Sequence, residues 1–171
     1  MTVFSYTFSM PAGVPGDVTR HENVVLEPNI IDPAYAGDSA PTVGLVYGNP
    51  VKLVSGLVQA IQSGDAAADV YGFLIRPYPT NSSQDAQGVS TPPTSGLCDV
   101  LKFGYFIAKL NGATAAAKGG AVYVRKLNAA SGKPIGGIEA AADSSNMVVV
   151  ANAYFMGPAD ADGNVEIAFG L

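Results

Sequence analysis

The sequence has no tryptophan, a single cysteine (Cys98) and a single histidine (His21). One cysteine excludes an internal disulfide. One cysteine and one histidine cannot build a zinc site, which takes four such ligands or three plus water. Charge is also scarce, at 13% of residues against about 25% in ordinary soluble domains. The nine basic residues are scattered and the net charge is −5. Nucleic-acid binding needs a basic patch or stripe, so no nucleic-acid partner is expected. Mean hydropathy is +0.24, yet no apolar run approaches the ~20 residues of a membrane helix. No membrane partner is expected either. Residues 1–5 lack the basic and apolar regions of a signal peptide, which fits synthesis and assembly in a cytoplasm. So little charge leaves a lone monomer poorly solvated, and points to a surface that ends up against another protein.

What the sequence does hold is short apolar runs between turn residues. The chain from Gly119 to Leu171 alternates such runs with Gly, Pro, Asp, Asn and Ser, which is how consecutive hairpins are written. Asp162-Gly163 carries the signature of a two-residue primed turn. After it, Val165, Ile167 and Phe169 share one strand face with Glu166 opposite. Upstream, Val51–Val54, Leu57–Ile61, Val70–Arg76 and Val100–Leu110 read as strands. In the last of these Leu101, Phe103, Tyr105 and Ile107 recur every second residue, and Gly104 is placed to bend it. Phe4, Tyr6 and Phe8 would share a strand face.

Residues 1–50 differ from the rest. Pro11, Pro15, Pro28, Pro33, Pro41 and Pro50 deny this stretch a central place in a sheet. It reads as an N-terminal strand followed by an extended Pro/Gly-rich arm, with Val24, Val25, Leu26, Ile30 and Ile31 as apolar anchors. Residues 51–171 read as the β domain, with a polar surface loop at 80–96. The whole fits one domain. The expected fold is all-β, a jelly-roll-like sandwich or barrel of eight to ten strands.

Candidate chemistry is thin. Asp160-Ala161-Asp162-Gly163-Asn164-Val165-Glu166 sets oxygen-bearing side chains at alternate positions, but a calcium loop needs Gly at its sixth place and Glu at its twelfth. Here those are Val165 and Leu171. A Cys98–His21 pair is a conceivable nucleophile–base set; a Ser–His–acid triad would also have to use His21, and no nucleophile-elbow motif flanks a serine. Gly119-Gly120 and Gly136-Gly137 lack phosphate-loop spacing. The expectation is therefore no enzyme, no cofactor and no metal. Tyr47, Tyr78 and Tyr154 stand beside Gly or Pro turns as contact anchors. Arg20 and Arg76 stand where arm or loop meets strand, and could pair with acidic groups.

Several stretches carry a family likeness: Gly119–Arg125, Gly132–Ala140, Asn152–Asp160, Pro11–Arg20 and Gly64–Pro79. Together they resemble the structural cement, or head-decoration, proteins of tailed bacteriophages. The resemblance covers most of the chain. It implies a virion protein on the capsid exterior that binds the major capsid protein, associates with itself as a dimer or trimer, and stabilises the shell. The alternative is a virion-surface β module that binds carbohydrate or a receptor; the lack of tryptophan tells against it.

Overall fold

The computed structural model of the chain describes residues 12–34, 44–77 and 92–171. Nine strands appear among them: β1 (Val18–Ile31), β2 (Pro50–Val54), β3 (Leu57–Ala60), β4 (Gly72–Ile75), β5 (Gly96–Lys109), β6 (Ala121–Arg125), β7 (Ile138–Glu139), β8 (Met147–Phe155) and β9 (Asn164–Phe169). The all-β expectation holds. The aromatic alternation at residues 4–8 and most of the 80–96 loop lie outside the described residues.

Strand β5 organises the sheet. One of its edges pairs with β1 along most of its length, from Val18↔Phe106 to Ile31↔Gly96. Its other edge is shared, first by β4 (Phe73↔Leu101) and then by β9 (Gly104↔Phe169 to Lys109↔Asn164). The sheet forks at this point. One branch runs β4, β2, β3 and returns to β1 through the parallel pairs Ile30↔Leu57 and Ile31↔Val58, closing a five-strand barrel. The other branch runs β9, β8, β6, β7.

Each barrel strand sends a side chain into one core: Ile31, Val51, Val58, Leu74, Cys98 and Val100, with Leu45 and Tyr47 added from the chain before β2. The second core lies between β4 and β5 and the other branch: Phe73, Ile75, Leu101, Phe106, Val122, Val124, Ile138, Val150, Phe155, Val165 and Ile167. Phe73 meets Phe106 at 4.5 Å and Phe169 edge-on at 5.0 Å. Strand β4 therefore buries both faces, which is why Phe73-Leu74-Ile75 is an unbroken apolar run rather than an alternation.

Three expectations need correction. Residues 18–31 are not an arm but one of the two longest strands. Pro28 is accommodated because, among the described strands, β1 has a neighbour on only one side there, so the missing N–H is not needed by a second ladder. Second, the alternation in β5 changes phase at Gly104. Its φ of +135° is open to glycine and unfavourable for a residue with a Cβ. Leu101 and Phe106, an odd and an even position, consequently share one core. Third, β8 and β9 are not joined by a two-residue turn. The connection runs from Met156 to Gly163. There Asp160 Oδ1 accepts from the Asp162 and Asn164 N–H groups, and Gly163 takes φ +76°. The expected one-sided placement of Val165 and Ile167 holds, since both are fully buried.

Candidate interaction surfaces

Nine large hydrophobic side chains stay exposed among the described residues, and six belong to the barrel: Val25, Leu26, Ile30, Leu53, Val54 and Leu97, the last 77% exposed. Register brings three of them, Val54, Ile30 and Leu97, together. Val54 pairs with Leu57, Leu57 with Ile30, and Ile30 with Leu97. Cross-strand partners project on the same side of a sheet, so these four form one row across β2, β3, β1 and β5. Their neighbours Val58 and Ile31 point inward and are fully buried. Along β1 the same outward face continues through Pro28 and Leu26. Asp99, registered with Pro28, interrupts it on β5. Contiguous apolar surface of this kind marks an interaction site more often than scattered single residues do.

The edge of β1 is a different matter. Its register with β5 shifts between Arg20 and Val25, where Asn23 has φ +60°, and Pro28 follows. A bulge and a proline are devices that stop an edge from recruiting another strand. What β1 offers a partner is its face.

The expected contact residues do not fall on one surface. Leu26 and Ile30 lie on the apolar face, and Val25, 52% exposed, sits at the register shift beside Leu26. Arg20 and Tyr154 lie elsewhere, in the row Ala121–Tyr154–Ala168–Tyr105–Arg20 across the other branch. Arg20 forks onto Glu166 at 2.9 and 3.1 Å and sits 4.1 Å above the Tyr105 ring. Tyr154 is 43% exposed. Ile31 and Tyr47 are corrections: both are buried in the barrel core, and a side chain consumed there cannot reach a partner. Val24 is half-buried and packs over Gly104. Arg76 donates to the Pro15 carbonyl at 3.0 Å and lies over Tyr47, tying the chain before β1 to the barrel. Tyr78 lies outside the described residues. Reading the sequence missed Leu97, Val54 and Asp99. Leu97-Cys98-Asp99-Val100 leaves it open which parity faces inward, so only the pairing reveals it.

The polar clusters away from this face are committed to structure, although Asn49 Oδ1 is buried without a partner among the described residues. Arg125, 1% exposed, donates to Glu139 at 2.6 and 3.2 Å, to Asp143 at 2.9 Å, and to the carbonyls of Leu127 and Asn128. The bond from Arg125, helped by Asn146, holds the Asp143 carboxyl below the usual carboxylate range. Burial opposes ionisation of Glu166, but hydrogen bonds from Arg20 and Thr19 together outweigh it, and its pKa is depressed. Asp160 is likewise resisted by burial and held low by N–H groups of Asn164, Ala12 and Asp162. Its oxygens are occupied as a loop cap. Among the described residues no three His, Cys, Asp or Glu side chains converge as metal ligands. Burial, with Asp99 adding to it, pushes the Cys98 thiol up to about 11. His21 sits in the exposed β1 bulge, roughly 20 Å along the sheet from Cys98, so the two do not form a pair. Lys102 lies over the Tyr71 ring and donates to the Tyr71 carbonyl, while the Tyr71 hydroxyl donates to Glu27 at 2.6 Å.

A family model described as the XM1 gp53 minor capsid protein matches residues 4–169. Among solved structures, a chain in "The capsid of Myoviridae Phage XM1" superposes with a TM-score of 0.67, covering 98% of this chain and 97% of that one at 16% identity. At that identity the likeness is one of fold. No curated protein matches the chain.

Proposed function

The chain belongs to the XM1 gp53 minor capsid protein family, and from that membership we propose that it is a cement protein, binding the outside of an assembled phage head and bridging neighbouring major capsid subunits. Membership makes it a structural protein of the virion. The finer role rests on one observation: a domain with two apolar cores nevertheless leaves Val54, Ile30 and Leu97 exposed on one face, in a row completed by half-buried Leu57. Such a face is costly in water and is relieved when another protein covers it. A standard interface removes about 800 Å² from each partner, and the symmetry of a shell repeats that gain at every copy. Function on this reading needs no catalytic group and no cofactor. Copies are proposed to touch one another as well as the shell.

The carbohydrate-binding alternative gains no support. The Tyr105 ring, the natural stacking surface beside Tyr154, is already covered by the Arg20 guanidinium. The cement role is tested by adding the purified protein to heads that lack it and heating both. Decorated heads should open at a higher temperature and resist stronger osmotic shock. Equal opening of bare and saturated heads refutes the role.

A further inference from the structure

We propose that the face carrying Leu26, Pro28, Ile30, Val54 and Leu97 is the one laid against the major capsid protein, and that the capsid surface it meets is apolar with one basic side chain opposite Asp99. The proposal rests on the cement reading and names the contact within it. Three observations carry it.

The first is where the exposed apolar side chains are. Ile30 is 51% and Leu97 77% exposed, and they are direct cross-strand partners. Leu26 and Pro28 extend the face along β1, and Val54 extends it across β3 to β2. From Leu97 to the position beside Leu26 the face runs about 13 Å along the strands, at roughly 3.3 Å per residue.

The second is that the edge is closed to strand addition. The register shift between Arg20 and Val25, and Pro28 itself, break the ladder a visiting strand would need. A partner must therefore come to the face, where side-chain packing and charge decide the fit.

The third is Asp99. It is registered between Pro28 and the buried Ile75, on the β5 side of this face, and is half-buried already. Among the described residues no ion pair or hydrogen bond engages its carboxylate. The nearest lysine in sequence, Lys102, is occupied at Tyr71. A partner that covers Leu97 and Pro28 also covers Asp99. Removing a carboxylate from water without a counter-charge is strongly unfavourable. The partner that fits therefore brings a lysine or arginine, which also sets the register of docking.

The test is binding of the purified protein to heads lacking it, over a range of salt. Ile30→Ser with Leu97→Ser should weaken binding by at least about tenfold, since buried apolar anchors dominate such interfaces. Asp99→Lys should weaken it by about a hundredfold or more, because like charges then face each other. Asp99→Asn should bind more weakly at low salt and lose most of the salt dependence of the wild type. Tyr154→Ser, on the other branch, should bind as wild type. All four positions are at least partly exposed, so circular dichroism should show folded variants. Wild-type affinity in the double serine variant overturns the face. Unchanged binding by Asp99→Lys overturns the basic partner. Loss of self-association by the double variant with intact head binding assigns the face to a second copy and also overturns the proposal. Failure of the wild type itself to bind the heads refutes the cement reading instead.

Discussion

The barrel core packs Ile31, Val51, Val58, Leu74, Cys98 and Val100 against one another, and the charged side chains buried among the described residues, Arg125 and Glu139, lie elsewhere. Behind β5 the other branch is built differently. Its apolar core ends against Arg125, which is as buried as any phenylalanine and holds Glu139, Asp143 and two carbonyls. The outer surfaces reverse the relation. The barrel shows an apolar face, whereas the other branch shows the Arg20–Glu166 fork beside Tyr105. A chain with few charges has placed them where a long excursion, residues 126–146, must be fixed and where β1 is stapled to β9. The barrel closes on itself by hydrogen bonding and carries one ion pair on β2, Lys52–Asp65 at 2.8 Å, while the Ile30–Leu97 row stays apolar.

The largest effect expected from breaking this contrast is at Arg125. Arg125→Met leaves Glu139, 5% exposed, without its main partner. Removing one member of a buried pair typically costs about 3–5 kcal/mol. Urea denaturation should show that loss. Arg125→Met combined with Glu139→Gln should recover part of it, because the stranded charge is then gone. A single variant as stable as wild type contradicts the clamp.

Next come the two faces of β4. Leu74→Ala opens the barrel core and Ile75→Ala the other, and each should cost about 2–5 kcal/mol. A strand with one solvent face would show one large and one negligible value. Two comparable losses sharpen the picture of β4 as a wall between cores.

Much of this was legible from the residues alone. The all-β class, the strands at 51–54, 57–60, 72–75 and 164–169, and the turn at Ser55-Gly56 follow from β-branched runs and turn chemistry, which are local signals. The barrel closure was not legible, because it depends on Ile30 and Ile31 pairing with Leu57 and Val58, and nothing local announces a parallel contact. The same gap explains the misreading of residues 18–31. Proline density is a valid signal against a central strand but says nothing against an edge. It also explains why Val25, Leu26 and Ile30 were found as surface residues while Ile31, their neighbour, was misplaced. Alternation gives two parities, and only the barrel says which is inside. The Arg125 cluster had no sequence signal beyond scattered charges at 125, 139 and 143.

Acid should strike the other branch before the barrel. Asp143 and Glu166 have depressed pKa values in the folded state, so the stability they add is present above the ordinary carboxylate range. It is lost as pH falls below about 4, toward the folded values. Both groups lie at or beside the other branch. Hydrogen exchange near pH 3 should therefore accelerate in β6 and β7, and at the β1–β9 staple, before it does in β2 and β3. Asp143→Asn and Glu166→Gln should each flatten part of the acid limb of a stability–pH curve. Exchange that rises first in the barrel strands contradicts this order.

Alkali should do the opposite, and more weakly. Cys98 points into the barrel, is 5% exposed, and has its thiol pushed up to about 11 by burial. An unfolded chain ionises the same thiol near 8.5. Below that value both states hold the proton and stability is unaffected. Between the two values the unfolded state releases a proton that the folded state keeps, so stability declines as pH rises. Tyrosines titrate in the same range, so the informative quantity is a difference. The gap between Cys98→Ser and wild type, measured by urea midpoint, should narrow from pH 8 to pH 10, because only the wild type carries the thiol penalty. At neutral pH the serine should cost about 1 kcal/mol through packing and a buried hydroxyl. A thiol reagent should label native Cys98 slowly, at the rate of barrel opening, and label it at once in urea. Rapid labelling of the folded protein, or a gap that stays constant across that pH range, removes Cys98 from the barrel interior. It would also remove the contrast between an uncharged barrel core and the ion-clamped branch beside it.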